Sequence, residues 1–116
     1  MRILLSLTAA LAMIGCGGSG SDGGVVNPPP PPVVTTNVTL RNLAFAPKAI
    51  QVSPSATVNF TNNDGIAHNV TFTSNAVTSV PDFASGSRAV AMPAAPGTYA
   101  YHCTIHAGMT GSVLVQ

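Results

Sequence analysis

The chain has 116 residues, room for one domain once a targeting segment is set aside, and only 6% of them are charged. Four basic against three acidic side chains leave no basic stripe for nucleic acid and no acidic tail. With 5% aromatics, no Trp, and abundant Val, Thr, Ala, Gly and Pro, the composition favours strands and turns over helices.

Met1-Arg2 gives a positive start, and residues 3–14 are apolar apart from Ser6 and Thr8. That run is too short to span a bilayer as a helix, but it has the length of a signal-peptide core. It ends in Met13-Ile14-Gly15-Cys16, which resembles the lipobox of bacterial lipoproteins, with Met13 where Leu is usual. The resemblance implies a signal peptide over residues 1–15, removed before Cys16, whose sulfur and new amino group then carry acyl chains. The chain is therefore expected to be exported, periplasmic or at the cell surface, and anchored to a bacterial membrane through Cys16. An ordinary secretory signal with an incidental Cys is the alternative.

Residues 16–36 read as the tether. A glycine-rich run over 17–24 has the composition of a flexible linker, and Pro28 to Pro32 favour polyproline II. Roughly twenty residues at about 3.1 Å each would lift a domain up to ~60 Å from the membrane. Two cysteines in an exported chain would ordinarily suggest a disulfide. An acylated Cys16 cannot pair, so Cys103 is left as a lone thiol, which a metal would protect.

From residue 37 onward, short alternating runs are separated by turn residues. Residues 38–40, 50–52, 57–60, 69–72, 87–90, 98–101 and 111–115 predict strands, while Pro47, Pro54, Asn63-Asp64-Gly65, Pro81-Asp82 and residues 93–97 predict turns. Residues 74–86 predict a loop or a single turn. Seven or eight short strands over 37–116 predict an all-β Greek-key sandwich. Alternation puts Tyr99, Tyr101 and Cys103 on one face and Ala100 and His102 on the other, so His102 falls outside any site that uses Cys103. The same rule places His68 with Val70 and Phe72, and Asn69 opposite.

Cys103, His106 and Met109 offer a thiol, an imidazole and a thioether within seven residues. None is an oxygen ligand of the kind magnesium or calcium requires. Singly, each has an ordinary explanation: Cys and Met fill cores, and a lone His sits on a rim. Their conjunction on one loop, with His68 as the further imidazole, matches the two-His, one-Cys set with a weak axial Met used for copper electron transfer. Zinc fits less well, because thioether is not among its usual ligands.

Residues 37–116 resemble the cupredoxins, the type 1 copper proteins of the plastocyanin, amicyanin and pseudoazurin group. The resemblance rests on residues 63–70, 97–103 and 103–115, and the Cys-x-x-His-x-x-Met spacing is similar to that of amicyanin. It implies one copper ion held by the imidazoles of His68 and His106, the thiolate of Cys103 and a more distant Met109 sulfur. It also implies that Asn69 ties the two ligand loops together near the Cys sulfur. Many relatives carry Pro where this chain has Ile105. Ile105 brings an amide hydrogen that Pro lacks, and the expectation is that it points at the Cys103 sulfur and favours Cu(I).

The function so implied is single-electron transfer by a monomer that docks transiently on a cytochrome, oxidase or reductase, through a small apolar surface around His106. Copper storage or delivery without redox turnover is the alternative. An enzyme is disfavoured, since no third group is evident to orient a Cys103–His106 pair. Three His in the whole chain are also too few for multicopper chemistry.

Overall fold

The structure, a computed structural model, describes residues 27–116; the signal segment and Cys16 lie outside the described residues. Ten strands form: β1 Val33–Val34, β2 Asn37–Arg41, β3 Ala44–Ala46, β4 Ala49–Val52, β5 Thr57–Asn62, β6 His68–Phe72, β7 Val80–Phe83, β8 Gly86–Ala91, β9 Gly97–His102 and β10 Thr110–Val115. No helix occurs among the described residues. The strands make two sheets, ordered β1-β4-β10-β9-β6-β7 and β3-β2-β5-β8. The all-β sandwich is thus as the sequence predicts, and all seven predicted strands are present.

Three short strands go beyond that reading. The first, β1, lies within the stretch assigned to the tether and pairs in parallel with β4, Val33 opposite Ile50. The second, β3, joins β2 through a two-residue turn, Asn42-Leu43, both left-handed at φ 52° and 57°. That is the backbone of the tight hairpin turns that match strand twist. The third, β7, contains Pro81, which removes a ladder donor; it is tolerated because β7 is the outer strand of its sheet.

Alternating residues fill the space between the sheets. Along β5, Val58, Phe60 and Asn62 are buried while Thr57 and Asn59 are exposed. Tyr101 stands at the middle, its ring 4.8 Å from that of Phe45, 5.3 Å from Phe60 and 5.2 Å from Phe72. The pairs with Phe45 and Phe60 are edge-on, an arrangement that contributes about 0.5–1.5 kcal/mol each beyond the area buried. The Tyr101 hydroxyl is buried without a hydrogen-bond partner among the described residues, and burial pushes its pKa well above the ordinary value. Tyr101→Phe keeps the ring and removes the unpaired polar atom, so it is expected to raise stability by about 1 kcal/mol. Thermal unfolding of the two proteins checks this as a higher Tm for the variant.

Strand directions define two ends. The strands β2, β5 and β9 run toward one end, and β4, β6 and β10 run away from it. At that end lie the start of β6, the end of β9 and the start of β10, which places His68, Cys103 and Met109 together.

Candidate metal centre

Each ligand residue is set by a strand end. His68 opens β6 and is fully buried, while Cys103 follows β9 and Met109 precedes β10, both also buried. The loop between them closes on itself: Cys103 N–H donates to the Met109 carbonyl at 2.9 Å, and Met109 N–H to the His106 carbonyl at 3.3 Å. Gly108 turns the chain at φ 81°, a left-handed conformation that other residues adopt at a cost. This tight loop carries His106 to the rim, where it is half-buried.

The three strongest donors converge. Nδ1 of His68 and Nδ1 of His106 are 3.0 Å apart, and Cys103 Sγ lies 3.9 Å from the first and 3.6 Å from the second. A point about 2 Å from all three atoms exists in their plane, which is the length of metal bonds to imidazole (about 2.0–2.1 Å) and close to that for thiolate (about 2.3 Å). With His106 in the tautomer that leaves Nδ1 bare, two imidazole lone pairs and the sulfur face one point, as a bound cation requires. The donor set therefore fits a single ion, and the thiolate with a buried thioether beside it selects copper.

The tautomer of His68 is fixed from outside. Its Nε2–H donates to Asp64 Oδ2 at 2.7 Å, which leaves Nδ1 as the bare nitrogen facing Cys103 and His106. The Asp64 carboxylate also accepts the N–H groups of Asn42 at 2.6 Å and Leu43 at 3.0 Å, so the strained β2–β3 turn is stitched to the ligand. Burial pushes the Asp64 carboxyl up, but the hydrogen bonds from Leu43, His68 and Asn42 outweigh it and hold its pKa below the ordinary carboxylate range. Asn62 shapes the loop beneath: its Nδ2 donates to the carbonyls of Ile66 and Phe83, and its Oδ1 accepts from Asp64 N–H.

Asp64→Asn leaves the shape of this loop nearly unchanged but weakens the acceptor on His68 and removes its charge. Cu(II) affinity is expected to fall about 10- to 100-fold, the usual cost of losing such a supporting group. The reduction potential is expected to rise, because the lost negative charge favoured the more positive ion. Competitive copper titration and voltammetry check the two parts separately.

Asn69 links the ligand loops through its side chain. Its Oδ1 accepts Thr104 N–H at 3.0 Å, and its Nδ2 donates to Thr104 Oγ1 at 2.7 Å and to Asp82 Oδ1 at 2.9 Å. Asn69 lies on the face opposite His68 and Val70, as alternation predicts, since Thr71 Oγ1 two residues on donates to Asn69 Oδ1 at 2.9 Å. Its bonds to Asp82 and Thr104 cover it there. Asn69 is buried along with both neighbours. His102 faces outward. Cys103 Sγ faces the two imidazole Nδ1 atoms. Ile105 presents its side chain, 46% exposed beside His106.

The sequence reading missed Asp64, Asp82 and Thr104. Asp64 sits in Asn63-Asp64-Gly65, where its residue type signals only a turn. Its four-residue spacing from His68 was the available clue, but in a loop that spacing carries no fixed direction. Asp82 was hidden in the same way by its place after Pro81.

A buried thiol and two converging imidazoles, with a buried thioether beside them at one end of a β-sandwich, define a copper protein with a type 1 donor set. Residues 32–116 match the family of copper binding proteins described as the plastocyanin/azurin family, and the chain belongs to it. Plastocyanin of Chlamydomonas reinhardtii is 37% identical over 87 residues, covering 64% of this chain and 59% of its own. That of Hordeum vulgare is 36% identical over 86 residues, covering 64% and 56%. The chain thus spans less than two thirds of these curated relatives. Vicia faba plastocyanin, 35% identical over 92 residues, is matched over 89% of its length and 64% of this chain.

Among solved structures, an oxidised variant of amicyanin superposes with a TM-score of 0.62 at 26% identity, over 69% of this chain and 80% of that one. A purple cupredoxin from Nitrosopumilus maritimus superposes with a TM-score of 0.63 over 71% of this chain and all of its own. At 19% identity, the latter likeness is one of fold. His68, Cys103, His106 and Met109 are accordingly the residues that hold a single copper ion in this member of an electron-carrier family.

Proposed function

We propose that the protein is a membrane-tethered single-electron carrier, exported and anchored through Cys16, that exchanges electrons with a redox protein in brief encounters. Copper, when bound, takes up and releases one electron. The observation that carries this reading is the arrangement of the ligands: three are buried in the sandwich frame, and His106 alone reaches the rim. A frame that fixes the ligand atoms keeps reorganisation small. The exposed Ile105, Ala107 and Gly108 around His106 present a small apolar surface on which a partner can pack closely and leave quickly. With so few charges on the chain, long-range steering is weak.

Voltammetry of the copper-loaded protein, with free copper monitored by a chromogenic chelator, tests the carrier role. Repeated reversible one-electron cycling with copper retained is expected. Prompt loss of copper to the chelator on reduction would instead support storage or delivery. The mass of the membrane-extracted protein tests the anchor: cleavage before Cys16 and acylation are expected, and an unmodified Cys16 contradicts it.

A further inference from the structure

The path of the chain into the domain decides which end of the sandwich faces the anchor. Because β1 runs parallel to β4 and β4 parallel to β10, all three run away from the copper end. The prolines before Val33 therefore lie toward the copper end. Pro29, Pro30 and Pro31 line a groove of about 450 Å³ with Pro47, Lys48 and Thr110, the residue that follows Met109. After β1 the chain turns at the far end, where the Thr36 carbonyl accepts Asn59 N–H at 2.8 Å, and β2 climbs back. Without β1 the folded domain would begin at Asn37, at the end opposite the copper.

Three of the five exposed large hydrophobics cluster at the copper end, while Val34 lies toward the far end of β1. Among the described residues, the large hydrophobics that are exposed are Val33 and Val34 on β1, and Leu43, Ile66 and Ile105 on the three loops that surround His68 and His106. At the far end, residues 53–55 and 94–96 expose Ser, Pro and Ala.

Resting on the reading that Cys16 carries the anchor, we infer that residues 27–34 are a strap that holds the copper end toward the membrane. The partner this fits is a redox protein seated in the same membrane, presenting an uncharged apolar surface near the bilayer plane. Ten residues separate Cys16 from Asn27, at most about 40 Å of chain. A six-residue strand such as β10 is about 20 Å long, so a tether that joins at the copper end leaves the far end up to a further ~20 Å from the lipid. Docked prolines also shorten the ~60 Å reach that the sequence suggested for a fully extended spacer.

The test uses the full chain, copper-loaded and reduced, coupled through Cys16 to maleimide lipid in vesicles that carry a gadolinium headgroup lipid. Amide signals at Ile66, Ile105 and Ala107 are expected to be lost first, and those at Ser53 and Ser55 last. In the V33P/V34P variant, which cannot pair β1 with β4, attachment moves to the far end and this gradient is expected to vanish or reverse. A flat or reversed profile in the unaltered chain overturns the strap. The same gradient in a free 27–116 fragment mixed with the vesicles makes the bilayer itself the occupant and overturns the partner. Electron exchange with membranes from the cells of origin is expected to slow in V33P/V34P, with exchange with ferricyanide unchanged; equal rates with the membranes also overturn the partner. Chemical coupling makes the geometry independent of natural acylation, so an unmodified Cys16 in extracted protein sinks the anchor alone, and a flat profile sinks the strap alone.

Discussion

Cys103→Ser is expected to abolish the thiolate-to-copper absorption and to weaken Cu(II) binding by more than the roughly 10- to 100-fold that follows loss of a supporting group. The thiolate is the strongest donor of the set, and a serine hydroxyl stays protonated near neutral pH. The fold should survive, because Ser is close to Cys in size and the neighbouring His nitrogens can accept its hydrogen bond. A buried hydroxyl that failed to find them would cost about 1–3 kcal/mol. Absorption spectra and a competitive copper titration of the two proteins, with thermal unfolding of both apo forms, separate lost ligation from lost structure.

Gly111→Val is expected to destabilise the domain by about 3 kcal/mol, which at this size lowers Tm by roughly 10–20 °C. Strand propensity alone predicts the opposite, since Val favours strands and Gly weakens them. Packing decides the sign. Gly111 lies directly across from Tyr101, and a Cβ placed on it would stand 2.6 Å from the Tyr101 ring. That ring is caged by Phe45, Phe60 and Phe72 and has no free space to move into. The disturbance reaches the metal, because Tyr101 is two residues before Cys103 and Gly111 two after Met109. A changed copper spectrum should therefore accompany the lower Tm, and an unchanged Tm would show that the cage is looser than its contacts imply.

Much of this architecture was legible because alternation of apolar and polar residues directly reflects which side of a strand faces the core. Residues such as Val58 and Phe60, or Tyr101 and Cys103, declare their burial through period two. The strands that escaped have a common cause. Val33–Val34 is too short for a period, Ala44–Ala46 is bounded by a turn whose Leu43 does not resemble a turn residue, and Val80–Phe83 contains a Pro that only an edge position allows.

The ligands were legible for a different reason: Cys, His and Met combine a narrow chemistry with a short loop. Their supports were less so. Asp64 and Asp82 look like turn residues, and only the folded chain shows that one fixes the His68 tautomer and the other braces Asn69. Asn69 keeps the face that alternation gives it, but the Asp82 and Thr104 side chains that bury it there come from other parts of the chain, a meeting that sequence does not announce. For Ile105 the expectation concerned its amide, and the structure adds an exposed side chain beside His106.

Adding one equivalent of Cu(II) to the purified protein and recording the visible spectrum tests the central claim most directly. The convergence of Cys103, His68 and His106 with Met109 predicts an intense thiolate-to-copper band that ascorbate bleaches, ferricyanide restores and Cys103→Ser lacks. A protein that stays colourless, or one whose colour survives in Cys103→Ser, would contradict it.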